Sequence, residues 1–161
     1  MHNRADTLAN LTQAGELVEH RVRPEGNFDG WDGRDVLCHL AAYARVIGAI
    51  LRATAEDRPA TNVELYGREL TAAELAMADV DEINAATQRE TAALSYAQAL
   101  AFWRAMHAEA LAQASRLTDA QFAAAGPAHP PNWSRPHLAE VVTALTDHYA
   151  GHMSTADAAA R

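Results

Sequence analysis

Leu138-Ala-Glu-Val-Val-Thr-Ala-Leu-Thr-Asp147-His148-Tyr-Ala-Gly-His152-Met153 carries its apolar residues at helical spacing. At about 100° per residue, Leu138, Val141, Val142, Leu145, Tyr149 and Met153 share one face with His148 and His152, while Glu140, Thr143 and Asp147 point away. An amphipathic helix therefore turns two histidines toward a core. Ser134 reads as its N-cap, and Pro136 stands in the first turn, where a missing N–H does no harm.

Three upstream segments repeat the pattern. Leu8, Leu11, Gly15, Val18 and Val22 step by three and four, predicting a helix from about Arg4 to Arg21 that ends in Arg23-Pro24-Glu25-Gly26-Asn27. Asp32 reads as the N-cap of a second helix running to about Ala53, with Asp35 in the first turn, where negative charge suits the helix dipole. Its buried stripe is Val36, Leu40, Tyr43, Ala44, Ile47, Ile50 and Leu51; Arg34, Arg45 and Arg52 fall opposite. Ser95-Tyr-Ala-Gln98 is a capping box, and the helix it opens continues to about Leu117 with Tyr96, Ala99, Leu100, Trp103, Met106, His107, Ala110 and Leu111 in its stripe.

The connections differ in kind. Thr54 to Thr71 turns polar around Pro59 and Gly67, a long crossover or lid between the second and third helices. At its end Thr71-Ala-Ala-Glu74 reads as a capping box for a short helix, and Val80-Asp-Glu-Ile-Asn84 opens another helical stretch. Gly126 to Trp133 is turn-rich, with three prolines. With no strand-like alternation or repeat, the expected fold is all-α, a four-helix bundle in a single domain spanning residues 1–161.

Composition agrees. Hydrophobic residues make up 49% of the chain but aromatic ones only 6%, because alanine dominates, and alanine favours helix at little entropic cost. A formal charge of −8 repels phosphate backbones and anionic lipid, so neither nucleic acid nor membrane is an expected partner. Cys38, the one cysteine, has no internal disulfide partner, and no apolar run resembles a signal segment or a membrane span. The expected location is cytoplasmic.

His148 and His152 are one helical turn apart, so their Cβ atoms lie about 5–6 Å from each other and both rings can reach one ion at ~2.0–2.1 Å. His-x-x-x-His alone is a weak signal, shared with surface and core histidines. It gains weight because both rings sit on an apolar stripe, where an unpaired imidazole is costly, and His39 occupies the edge of the stripe on the second helix. The candidate metal ligands are His39, His148 and His152, a set that leaves a position open for water or substrate.

His107 could be a fourth ligand, a general base or a packed core group, and the core reading is preferred. His137 stands three turns before His148, about 16 Å along the helix, too far to share its ion. His2, His20 and His129 read as solvated. Cys38 is turned about 100° from His39, toward Arg34 and Arg45, and is not a co-ligand. Asp35 reads as a cap, with an outer contact to His39 as the alternative. Gly151 weakens its helix unless another helix or chain comes close. Trp31, Trp103 and Trp133 read as core or rim anchors.

Gly30-Trp31-Asp-Gly-Arg-Asp35-Val-Leu-Cys-His39-Leu40 resembles the opening of the second helix in the DinB-like superfamily, which includes the DinB and YfiT-like proteins. Asp147-His-Tyr-Ala-Gly-His152 resembles that family's final-helix His-Tyr-x-x-His pattern. The stretches Asp81 to Gln98 and Leu117 to Gln121 are similar to its third-helix region. The resemblance covers residues 28 to 155 or so. It implies an antiparallel four-helix bundle, often a homodimer, with the crossover between helices two and three. It also implies that His39, His148 and His152 match the family's metal triad, with zinc or nickel as the ion.

Related branches are mycothiol-dependent maleylpyruvate isomerases, bacillithiol-using transferases, and hydrolase-like self-resistance proteins without the metal. The isomerase branch carries a Glu where this chain has His148, and Gly151 replaces an acidic residue common before the last histidine. The expectation is therefore a metal-dependent enzyme acting on a small-molecule substrate, a low-molecular-weight thiol transferase or else a hydrolase. The alternatives are a non-catalytic stress protein that sequesters a metal or electrophile, and a helical interaction domain whose histidines merely pack.

Overall fold

A computed structural model describes residues 3–71, 80–124 and 137–155. Glu74, Trp133, Ser134 and Pro136, with the caps read onto them, and His2 and His129 lie outside the described residues. The elements in order are α1 (Arg4–Arg21), β1 (Asn27–Phe28), β2 (Trp31–Asp32), α2 (Gly33–Ala55), α3 (Asn62–Tyr66), α4 (Val80–Thr91), α5 (Tyr96–Arg116), α6 (Asp119–Ala123) and α7 (Leu138–Thr155). The chain is thus predominantly helical, as its composition predicts.

Local signals set the helix ends. The Asp32 carboxylate accepts from the Asp35 N–H at 2.8 Å, so the residue does cap α2. Ser95 and Gln98 make both arms of the capping box that opens α5, and Thr61 with Glu64 and Thr118 with Gln121 do the same for α3 and α6. Between α1 and α2 the chain forms a two-residue hairpin that apolar periodicity does not reveal, with Phe28 paired to Trp31. Asp29 and Gly30 turn it with positive φ, and the Asn27 side chain accepts from the Gly30 N–H at 2.8 Å.

Four long helices surround one core. α2 packs most extensively on α5 and α1 on α7, with α2 also against α7 and α1 against α5, whereas the consecutive helices α1 and α2 touch little. The antiparallel expectation holds for only part of this arrangement. Arg34 reaches the Ala92 carbonyl just before α5, and Arg52 pairs with Glu109 near its far end at 3.2 Å, so α2 and α5 run in the same direction. Arg21, ending α1, donates to the Met153 carbonyl near the end of α7, so these two run alike as well. The crossover is the cause, because it returns the chain to the end where α2 began.

The core follows the apolar stripes: Leu11, Val18, Leu40, Ile47, Leu51, Trp103, Leu145 and Tyr149 are all buried. α2 and α5 meet through small side chains. A Cβ on Gly48 would come within 3.4 Å of the Ala110 backbone, and Ala99, Ala110 and Ala114 are buried inside the chain. These three alanines of α5 are therefore spent on the core. α2 is long and apolar enough to cross a membrane by length and composition, but 72% of its apolar window is buried inside the fold, as expected of a core helix. The crossover packs α3 and α4 onto α2, covering a side of that helix that the wheel assigns to solvent.

Candidate metal centre

α2 leaves the hairpin with His39 on its second turn, and the last two turns of α7 pass alongside carrying His148 and His152. The Nε2 atoms of His39 and His148 face each other at 2.8 Å. One ring nitrogen from each of the three histidines lies within 4.8 Å of the others. Two nitrogens sharing an ion at 2.0–2.1 Å can be no more than about 4.2 Å apart, so side-chain movements of under about an ångström would close all three on one ion. His39 is 7% exposed and the other two are half-buried, on a cavity of about 490 Å³.

Aromatic rings hold the imidazoles in place. Tyr43, one turn beyond His39 on α2, stacks on His148 with centroids 4.1 Å apart and planes 17° from parallel. Trp31 meets His39 edge-on at 4.6 Å and lies over His152 at 6.0 Å. The hairpin delivers this indole: α1 and α2 lie across the core from each other, so their connection must cross the end of the molecule beside α7. Sequence reading assigns Trp31 a packing role, and it has one, against the histidines themselves.

Burial keeps the triad uncharged. Loss of hydration, aided by the nearby His152 and opposed by a hydrogen bond with the Asn84 side chain, lowers His39 to about 4. His148 falls to about 3 by burial and the proximity of His39 and His152. His152 is also lowered, mainly by burial, against an opposing pull from Asp29. Neutral imidazoles present lone pairs, the form a metal requires. The donor set and its protonation state therefore could hold a metal ion.

A family model for the DinB superfamily matches residues 2–156. The chain belongs to the DinB superfamily. No curated protein and no solved structure matches it. Across the sequence of this DinB protein, the three histidines read as ligands come together, and the residues read as bystanders divide.

His107 stays out of the triad. It stacks on Trp103 at 5.3 Å beside Tyr149, in a niche opened by Gly15, whose absent Cβ would collide with the imidazole. His137, distant from the cluster, binds the Ala123 carbonyl at 2.9 Å through Nδ1. Asp35 pairs with Arg34 and does not orient His39. A Cβ on Gly151 would meet nothing within 4 Å, so no close approach among the described residues explains that glycine.

Asn84, Arg45 and Cys38 depart from the reading. Asn84 belongs to α4, whose only sequence signal is its helical start, and reaches His39 because α4 docks on α2. Arg45, assigned to the solvated side, lines the cavity. Cys38 is 1% exposed; burial pushes its thiol up, and a hydrogen bond with Thr91 of α4 opposes this. Each change has the same origin, the crossover lying on the far side of α2.

Proposed function

We propose that this DinB-superfamily chain is a metal-dependent enzyme that joins a low-molecular-weight thiol to an electrophilic small molecule, with His39, His148 and His152 holding zinc or nickel. The supporting observation is the meeting of three neutral imidazole nitrogens, from two helices, on the wall of a 490 Å³ cavity. A bound ion would supply Lewis acidity, lowering the pKa of a thiol so that thiolate is available near neutral pH. The protein does the rest. Tyr43 and Trp31 fix the planes of the imidazoles, Asn84 engages the His39 ring, and apolar side chains such as Val46, Ile50 and Leu65 exclude water from the thiol and its acceptor.

A transferase fits this lining better than a hydrolase. Hydrolysis needs a group to take a proton from water, and Glu90, the one carboxylate among the described lining residues, is bound by the Arg68 Nε at 2.6 Å. The same scarcity of bases favours, as a second reading, a binder that sequesters an electrophile. Incubating metal-loaded protein with mycothiol, bacillithiol, glutathione or cysteine and a chromogenic electrophile tests both. The transferase predicts many turnovers per site that require thiol and vanish in His152→Ala. Turnover that continues without thiol contradicts it, and uptake that stops at one equivalent supports the binder.

A further inference from the structure

The cavity follows a single stripe of α2. His39, Ala42, Val46 and Ile50 all line it, at steps of three and four that hold them within about 80° of one another around the helix. From His39 to Ile50 the helix rises about 16 Å. The roof over this track changes along its length. α4 covers the histidine end, where Asn84 engages His39, and α3 covers the other, where Glu64 pairs with Arg52 at 3.4 Å and Leu65 meets the cavity. Ile50 and Leu65 are each 2% exposed, so the track ends blind and apolar.

The charged lining residues gather to one side. Arg45 falls about 120° around α2 from His39, close under Gly67, and Arg68, the next residue in the crossover, pairs with Glu90 at 2.6 Å. Beyond Tyr43, which stacks on His148, the track is mainly aliphatic, with Val46, Ile50 and Leu65. A volume of about 490 Å³ over about 16 Å gives a mean section of roughly 30 Å². One chain of methylenes passes through such a section and bends with its course, whereas a branched or saturated-ring body is too wide for it.

We infer that the cavity takes a small molecule with an unbranched aliphatic chain, its functional group at the histidines and its tail running along α2 to Ile50. This names the substrate class for the site proposed above, and it rests on that reading in treating the cavity as the substrate site. The length, section and blind end of the track do not depend on a metal.

Calorimetric titration of metal-free protein with straight-chain primary alcohols from butanol to decanol tests it. In the wild type each added methylene is expected to tighten binding roughly three- to fourfold, the gain from burying one CH₂. Cyclooctanol should bind at least about tenfold more weakly than octanol because of its girth, and octanediol, with a hydroxyl at each end, by a similar factor because the second hydroxyl would lie unpaired at the blind end. Val46→Trp, about 10 Å beyond His39 on the track, should halt the gain at a shorter chain than in the wild type. Val46→Leu, a smaller intrusion, should give a weaker shift of the same kind, which guards against misfolding of the first variant. His148→Ala should keep the wild-type series, so failure of the metal reading and failure of this one are told apart. Cyclooctanol or octanediol binding as tightly as octanol, no gain with chain length, no binding of any alcohol, or a series unaltered in both Val46 variants would each overturn the assignment.

Discussion

His39 and His148 are held neutral at a separation of 2.8 Å, with burial as the largest cause in both. An unfolded chain would protonate them near the ordinary value of about 6.5. Their folded values, about 4 and about 3, lie below that, so the unfolded state binds more protons throughout the interval. Stability of the metal-free protein is thus full above pH 6.5 and declines as pH falls toward 3. Urea midpoints should drop between pH 7 and pH 5, with a shallower drop in His148→Gln; an unchanged slope in that variant would contradict the assignment. Asn84→Ala, which removes the partner of the His39 ring, should weaken zinc binding by roughly 10–100-fold in competition with a chelator. The pair on α7 is visible in the sequence because one helical turn separates its members. Asn84 is not, since nothing in a polar helical start says which helix it will dock on, and Arg45 misleads because a two-sided wheel cannot anticipate a third layer on α2.

Gly15 and Gly151 show how much a helix depends on what packs beside it. Both stand in helices, where glycine costs about 0.5–1 kcal/mol relative to alanine. Gly151→Ala places its methyl in open space and should recover about that amount. Gly15→Ala drives a methyl into His107, and overpacking of this kind costs about 1–3 kcal/mol, more than the gain in propensity. Denaturant titrations should move the two midpoints in opposite directions; parallel shifts would mean that His107 does not fill the niche beside Gly15. Helix starts such as Asp32 and Ser95 were legible because a cap is a local hydrogen bond between near neighbours in sequence. The Asn27–Asp32 hairpin was not, since two-residue strands are too short to show alternation.

The directions of the four long helices follow from the crossover, and so does the cavity. A short loop after α2 would have made α5 its antiparallel neighbour. The segment that instead carries α3 and α4 back along α2 supplies Leu65, Arg68, Asn84 and Glu90 to the cavity that the histidines line. Length and polarity mark this segment as a crossover in the sequence, but its path is a tertiary matter that no local spacing records. The chemistry proposed for the cavity turns on whether three imidazoles from α2 and α7 hold an ion. Elemental analysis of protein purified without an affinity tag, comparing wild type with His39→Ala and His152→Ala, decides this. Near-stoichiometric zinc or nickel in the wild type, lost in both variants while helicity is retained, is the predicted result. Wild-type protein that stays free of metal after equilibration with zinc and with nickel would contradict the metal centre and leave the histidines as packed side chains of a binding cavity.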